Sequence, residues 1–110
     1  MRKNYRSIIF VDLDECVLKT PENRDYTKSV PMMERIQKIN KLYDEGNMVV
    51  YWTARGTITG GNWFQVTLDT LQRAGAKFHE LRMNKPYYDL FIDDKNINSE
   101  VFFTNVPGED

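Results

Sequence analysis

The chain has 110 residues, and its 15 basic and 16 acidic side chains give a formal net charge of -1, which argues against a nucleic acid partner. This length predicts a single domain spanning residues 1–110. Its apolar runs are far shorter than the roughly 20 residues that span a bilayer, which argues against a membrane protein. The single cysteine, Cys16, excludes an internal disulfide and favours a cytoplasmic protein.

The first predicted strand is the apolar run of residues 8–11, which ends in Asp12 and Asp14. An uninterrupted apolar run is typical of a strand buried on both faces, as in parallel sheets. Residues at the carboxyl end of such a strand lie where open α/β sheets bind ligands. Two carboxylates so close repel each other unless a cation or a shared proton separates them. The stretch therefore predicts a metal or acid–base site, with a simple aspartate turn as the alternative.

The next elements are a loop, a helix and a second strand. Polar residues 19–29 predict a loop or small hairpin above the end of the first strand. Pro31 suits the first turn of a helix, and apolar residues at helical spacing continue that helix towards Gly46. Residues 48–52 predict the second buried strand, which is followed by Thr53, Ala54 and Arg55.

The second half of the chain continues the alternation. A helix is predicted from about residue 63 to residue 74, then a weaker third strand over residues 76–81. A short fourth strand is predicted at residues 90–92, and residues 101–103 predict a fifth strand or a packing turn. The tail from Asn105 is expected to fray.

Strands that alternate with helices predict a parallel sheet with right-handed crossovers, so the carboxyl ends of the strands share one edge. Four carboxylates, a hydroxyl and an ammonium group converge there: Asp12, Asp14, Asp93, Asp94, Thr53 and Lys85. Four unpaired carboxylates are costly to bury, and a hard divalent cation such as Mg²⁺ would balance their charge. Because protein-bound Mg²⁺ commonly also binds phosphate, the pattern predicts a site for phosphate chemistry.

These motifs resemble those of the haloacid dehalogenase (HAD) superfamily of phosphatases. Its motifs are Asp-x-Asp after the first strand, Ser or Thr after the next, a Lys, and an acidic pair closing a later strand. The runs T-A-R-G-x-x-T-G-x-x-W, K-P-x-Y-D and I-D-D-K are similar to those of the small phosphatases of capsular polysaccharide biosynthesis. The resemblance spans roughly residues 8–103 and implies a small Rossmannoid three-layer α/β fold with a parallel sheet and no cap domain.

The resemblance also implies a mechanism for phosphomonoester hydrolysis. Asp12 attacks phosphorus to form an aspartyl-phosphate, and Asp14 protonates the leaving oxygen and then deprotonates the hydrolytic water. Mg²⁺ is expected to be held by Asp12, the backbone carbonyl of Asp14 and Asp93. Asp94 is expected to be a further ligand or to contact the ligands without binding the metal itself. Lys85 would neutralise the charge that develops at Asp12 and on the transferring group.

Substrate contacts are expected from the same strand ends. Thr53 and the backbone N–H groups of Leu13 and Ala54 would hold the phosphoryl oxygens, and Arg55 would bind an anionic or hydroxyl-rich part of the substrate. The substrate class implied is a sugar phosphate or a related small phosphate ester. Because no segment is long enough for a cap domain, either a large substrate or a neighbouring subunit of a homo-oligomer would cover the site.

Two departures from the family pattern keep alternatives open. Glu15 and Cys16 stand where the superfamily usually has Gly and Thr, and a thiol is a poorer hydrogen-bonding group than a hydroxyl. A catalytically weak or inactive binding protein is therefore one alternative, and a phosphatase of nucleotides or polynucleotide ends is another. A receiver domain of a response regulator uses similar residues, but its acidic pair precedes the phosphoacceptor aspartate, whereas here Asp93 and Asp94 follow it.

Overall fold

The computed structural model of the chain describes residues 4–104. Its strands are β1 (Ile8–Val11), β2 (Leu18–Lys19), β3 (Val30–Pro31), β4 (Met48–Trp52) and β5 (Glu80–Arg82). Its α-helices are α1 (Met33–Asp44), α2 (Phe64–Arg73) and α3 (Ser99–Thr104), and a single 3₁₀ turn covers Tyr26–Lys28. The protein is thus a small α/β fold, as predicted. The prediction of a fraying tail from Asn105 lies outside the described residues.

The main sheet has three parallel strands in the order β1-β4-β5. Ile8 pairs with Met48 at one end of the sheet, and Val11 pairs with Tyr51 at the other. Because the three strands run the same way, their carboxyl ends lie at one edge, which confirms the predicted arrangement of strand ends. The third strand is shorter than predicted and lies later in the chain.

The hydrophobic core lies on one face of this sheet. Side chains alternate between the faces of a strand, and Ile9 and Val11 of β1 contribute to the core cluster, whereas Ile8 and Phe10 are exposed. All three α-helices add apolar side chains to that cluster, including the fully buried Leu71 of α2. Both crossovers step across the sheet in the same direction, so right-handed connections place α1 and α2 on the same face.

The chain after β5 differs from the prediction. The strand predicted at residues 90–92 is not formed, and residues 86–98 run without helix or strand. Residues 101–103 belong to α3 rather than to a strand or turn. Within residues 4–104, the helices contribute to the core on the face of Ile9 and Val11, whereas on the opposite face Ile8 and Phe10 are exposed and Val50 is buried.

The segment between β1 and α1 folds over the carboxyl end of β1 as a small antiparallel hairpin. Leu18 of β2 pairs with Pro31 of β3, so Pro31 lies in this ladder and α1 begins only at Met33. This corrects the prediction that Pro31 occupies the first turn of the helix. Proline is tolerated in so short a ladder because its missing N–H can face away from the partner strand. Among residues 4–104, no helix has the length and apolar character needed to cross a bilayer.

Candidate functional site

Three predicted site residues meet at the carboxyl edge of the sheet, because each follows a different parallel strand. Asp12 follows β1, Thr53 follows β4, and Lys85 lies three residues after β5. The Nζ of Lys85 is 3.6 Å from Oδ2 of Asp12. The backbone N–H of Lys85 donates to the carbonyl of Thr53 at 2.9 Å, and the carbonyl of Lys85 accepts from the Thr57 hydroxyl at 2.9 Å. Lys85 is therefore anchored through its backbone and directs its ammonium towards Asp12.

The carboxylate of Asp12 lies half exposed at this edge, with its side chain 45% accessible. Its Oδ1 accepts the backbone N–H of Leu13 at 2.8 Å. Partial burial raises the pKa of Asp12, the Lys85 charge and the Leu13 N–H act in the opposite direction, and the Asp14 charge adds to the rise. The Leu13 N–H, predicted to hold a phosphoryl oxygen, thus donates to Asp12 in this structure.

Thr53 and Ala54 directly follow β4 at the carboxyl edge of the sheet. Thr53 is buried, its N–H donates to the carbonyl of Arg82 at 2.9 Å, and its hydroxyl oxygen accepts the N–H of Arg55 at 3.1 Å. The carbonyl of Ala54 accepts the N–H of Thr57 at 2.9 Å, which closes a turn. These bonds give the loop after β4 a defined shape next to Asp12 and Lys85.

A bidentate ion pair joins Asp14 to Arg55. The Nε of Arg55 donates to Oδ2 of Asp14 at 3.0 Å, and its Nη2 donates to Oδ1 at 2.8 Å. Two of the three guanidinium nitrogens thus each donate to a different carboxylate oxygen, the strongest geometry for this kind of pair. The Arg55 side chain is fully buried, and that of Asp14 is 17% accessible. The pair fixes the orientation of the Asp14 carboxylate.

The remaining contacts of Arg55 are also made within the protein. Its Nη1 donates to the Thr67 hydroxyl at 2.9 Å, and its Nη2 also donates to the Ser29 hydroxyl at 3.0 Å. The guanidinium carbon lies 4.3 Å from the centre of the Tyr26 ring, a cation–π distance. The sequence predicted that Arg55 binds the substrate. These contacts instead support a positioning role, because the guanidinium is buried and directed at Asp14.

Three hydroxyl groups that sequence reasoning did not single out complete this network. The Thr20 hydroxyl donates to Oδ1 of Asp14 and lies 2.8 Å from the Ser29 hydroxyl. Thr67 is fully buried on α2 and also donates to the carbonyl of Trp63 at 2.7 Å. Of these three residues, the sequence could have indicated only Thr67, because it lies among the apolar positions of the second predicted helix. Nothing local indicated that Thr20 and Ser29 would reach Asp14.

The turn after Asp14 explains one departure from the family pattern. Glu15 has a φ of 63°, a left-handed conformation that glycine adopts more readily than any other residue. A residue other than glycine adopts this conformation at a cost of about 1 kcal/mol, which Glu15 therefore incurs. Its carboxylate is 3.3 Å from Lys19 Nζ and accepts the N–H of Thr20 at 3.4 Å. The turn therefore keeps its left-handed residue despite the change of residue type.

Cys16, the second departure, is a buried core residue. Burial is the main factor that raises the pKa of its thiol to about 11, and the neighbouring Asp12 charge acts in the same direction. Its carbonyl accepts from Nη1 of Arg35 at 3.0 Å. A thiol with so high a pKa is a poor nucleophile at neutral pH. These observations make Cys16 a packing residue.

Asp93 and Asp94 lie in the exposed segment between β5 and α3. Both are exposed, Asp93 accepts the N–H of Lys95 at 3.1 Å, and Asp94 lies 3.5 Å from Lys95 Nζ. No group of three histidine, cysteine, aspartate or glutamate side chains within residues 4–104 is arranged to hold a metal ion. The four-carboxylate magnesium site stays a prediction.

The fold and the edge residues together define a small Rossmann-like α/β protein with polar groups at the carboxyl ends of its parallel strands. The chain is similar to a crystal structure of a structural-genomics target from Vibrio cholerae, with a TM-score of 0.81 and 20% sequence identity. The likeness covers 94% of this chain and 92% of that chain, and at this identity it shows the fold. No protein-family model matches the chain, and no curated protein matches it.

Proposed function

We propose that the protein is a phosphomonoester hydrolase of the HAD type that forms an aspartyl-phosphate at Asp12 and depends on Mg²⁺. The substrate class we assign is a sugar phosphate or a related small phosphate ester in the cytoplasm. The proposal rests on the order of the motifs in the sequence and on the positions of the side chains that carry them.

One observation carries the proposal. Lys85 Nζ lies 3.6 Å from the Asp12 carboxylate, although 72 positions separate the two residues, and the Lys85 backbone is bonded to Thr53. A carboxylate, an ammonium and a hydroxyl residue that follow three different strands thus share one edge. Such a set suits attack by a carboxylate on a phosphoryl group whose charge is balanced by a fixed cation.

In the proposed first step, a carboxylate oxygen of Asp12 forms a bond to phosphorus while the bond from phosphorus to the ester oxygen breaks. Lys85 offsets the negative charge on Asp12 and on the transferring oxygens, and Thr53 and Ala54 border the same space. Water then attacks phosphorus, the bond to Asp12 breaks, and inorganic phosphate leaves. Asp14 is the proton donor and then the acceptor in these two steps.

Mg²⁺, when bound, would add positive charge next to the phosphoryl oxygens. The residues that we propose would hold it are Asp12, the backbone carbonyl of Asp14 and Asp93, with Asp94 as a further ligand or a hydrogen-bonding neighbour of the ligands. The steps described above use only groups of the protein itself.

A second candidate function is a binding protein with weak or no catalysis. The observation that favours it is the engagement of both Asp14 oxygens by Arg55, with Thr20 as a further donor. A carboxylate held in this way has fewer lone pairs available to accept and return a proton during catalysis.

The test is phosphate release from a panel of sugar phosphates, nucleotides and p-nitrophenyl phosphate, with Mg²⁺ and with EDTA. We expect Asp12→Asn to lose at least about a thousand-fold in rate, because no covalent intermediate can form. We expect no loss of thermal stability, because partial burial already disfavours the charged form of Asp12. Asp44→Asn is the matched control, since it makes the same change at a half-exposed carboxylate on α1, paired with Lys77.

Release that requires Mg²⁺ and disappears in Asp12→Asn, but not in Asp44→Asn, supports the phosphatase. If the wild-type protein releases phosphate from none of these compounds yet binds one of them, the binding protein is the better assignment. Release that survives Asp12→Asn unchanged contradicts the aspartyl-phosphate mechanism.

A further inference from the structure

The backbone of Lys85 is fixed by its neighbours on both sides. Pro86 follows it, and a residue before proline is largely restricted to extended backbone. Asn84 precedes it with a φ of 65°, a left-handed conformation. The N–H and C=O groups of Lys85 are bonded to Thr53 and Thr57. The place of the lysine backbone is thus set, but its long side chain keeps its rotational freedom unless other groups hold its end.

The ion pair with Asp12 does not by itself fix the end of this side chain. Lys85 Nζ is 3.6 Å from Oδ2 of Asp12, which is longer than a hydrogen bond. Two aromatic rings also lie near Nζ, because the centre of the Tyr88 ring is 5.4 Å away and that of the Trp52 ring is 6.0 Å away. Both distances are within the range of cation–π attraction. Only 13% of the Lys85 side chain is accessible, and an ammonium shielded from water is attracted more strongly by a ring.

Both rings are held by further contacts. Trp52 is the last residue of β4, and its Nε1 donates to the carbonyl of Met83 at 3.2 Å. This bond ties the indole to the segment that leads into Lys85. The Tyr88 ring packs edge to face against the Phe91 ring, with the ring centres 5.1 Å apart. One ring thus belongs to the sheet and the other to the segment after the lysine, and the ammonium lies near both.

Aromatic rings attract a cation without neutralising it. A ring face attracts an ammonium through its quadrupole and carries no formal charge. Arg55, by contrast, is paired with the Asp14 carboxylate through two hydrogen bonds. The Lys85 ammonium therefore keeps its positive charge for Asp12 and for a phosphoryl group bound there.

We propose that Tyr88 and Trp52 are positioning residues that hold the Lys85 ammonium beside Asp12 for phosphoryl transfer. The role assigned to Lys85 rests on the proposed function. Tyr88 and Trp52 act through Lys85 and not through the substrate. Loss of a ring should therefore lower kcat by a similar factor for every substrate and leave KM nearly unchanged.

The kinetic test compares Tyr88→Leu with Tyr88→Phe. Leucine removes the ring, and we expect kcat to fall by about tenfold, the factor to which the loss of a shielded cation–π attraction corresponds. Phenylalanine keeps the ring, so Tyr88→Phe should restore most of the rate. Tyr87→Leu is the matched control, because Tyr87 is the neighbouring tyrosine and is 66% exposed, and its rate should be unchanged. An equal loss in Tyr88→Phe or in Tyr87→Leu, a loss confined to KM, or no loss in Tyr88→Leu contradicts the proposal.

NMR of protein with ¹³C-labelled lysine tests the contact without activity. The two rings should shift the ε-CH₂ signal of Lys85 upfield of the signals of exposed lysines, and Lys85→Arg identifies this signal by its loss. We expect Tyr88→Leu and Trp52→Leu each to move the signal towards the exposed-lysine position, and Tyr87→Leu to leave it in place. Tyr88 is 41% exposed, so Tyr88→Leu decides the test if Trp52→Leu does not fold. A Lys85 signal at the exposed-lysine position in the wild-type protein overturns the proposal.

The two readouts separate this inference from the proposed function. If the wild-type protein releases no phosphate but shows the upfield signal, and Tyr88→Leu removes the shift, the proposed function fails and the aromatic contact with Lys85 stands. If the wild-type protein releases phosphate but shows no upfield signal, the proposed function stands and the positioning role of the two rings is wrong.

Discussion

Two parts of the candidate site contrast sharply in how the protein holds them. Asp14 lies in a network in which Arg55 is fully buried and is bonded to Thr67 and Ser29 as well as to Asp14. The acidic pair at Asp93 and Asp94 belongs to residues 86–98, which are almost entirely exposed. One half of the predicted site is thus fixed by the core, and the other half is presented to solvent.

The contrast shows that the residues of a motif can be positioned either by strands that pair within the sheet or by a segment without a strand partner. Asp12, Asp14, Thr53 and Lys85 follow strands that pair within the chain, so folding of the core positions them. The acidic pair follows an apolar run without a strand partner in the described chain, so its position depends on what that run packs against. Variants in the two regions should therefore differ in how strongly they change the free energy of unfolding.

The largest effect is expected from Arg55→Met. It leaves the Asp14 carboxylate without its cation and leaves the Thr67 and Ser29 hydroxyls without a donor, so we expect a loss of about 3 kcal/mol in the free energy of unfolding. Arg55→Lys keeps the charge but not the forked geometry, and an intermediate loss is expected. Chemical denaturation measures the free energy of unfolding of both variants.

Arg73→Met is the matched control for Arg55→Met, because Arg73 is an exposed arginine at the end of α2. Its free energy of unfolding should stay within about 0.5 kcal/mol of the wild-type value. An Arg55→Met protein as stable as the wild type would mean that the buried ion pair does not hold this half of the site.

A pair of leucine variants compares the two regions directly. Leu18 is fully buried beside the turn after Asp14, so Leu18→Ala should cost about 2–5 kcal/mol at any protein concentration. Leu90 is 74% exposed, so Leu90→Ala should change stability by less than about 0.5 kcal/mol in dilute protein.

Chemical denaturation measures the free energy of unfolding of both leucine variants. A loss for Leu90→Ala as large as the loss for Leu18→Ala would contradict the exposed position of Leu90.

A gain in stability, rather than a loss, is expected for one change in the core of the sheet. Tyr51 is fully buried, and its hydroxyl has no hydrogen-bond partner among the described residues. Burial raises the pKa of this hydroxyl well above its usual range. Tyr51→Phe removes the unpaired group and keeps the ring, so we expect a gain of about 1 kcal/mol in stability. A clear loss of stability would show that the hydroxyl binds a buried water or another group.

The elements that were predicted well are those whose sequence pattern is local. Residues 48–52 form β4 with the predicted bounds, and the helix predicted near residues 63–74 is found at Phe64–Arg73. Both follow from periodicity, because a buried strand needs a short apolar run and a helix needs one apolar face. The strand predicted at residues 90–92 was equally apolar, but strand formation also needs a pairing partner, which the sequence pattern does not reveal.

The sequence by itself determined which chemical groups lie at the carboxyl ends of successive strands, because strand order and direction follow from alternating strands and helices. It therefore predicted that Asp12, Thr53 and Lys85 would meet. Only the tertiary structure decided what each group faces. The loop over residues 19–29 folds back to bring Ser29 to Arg55, and this turns a predicted substrate contact into a buried support for Asp14. The reason is that burial and hydrogen bonding depend on segments distant in the chain, whose arrangement no local pattern specifies.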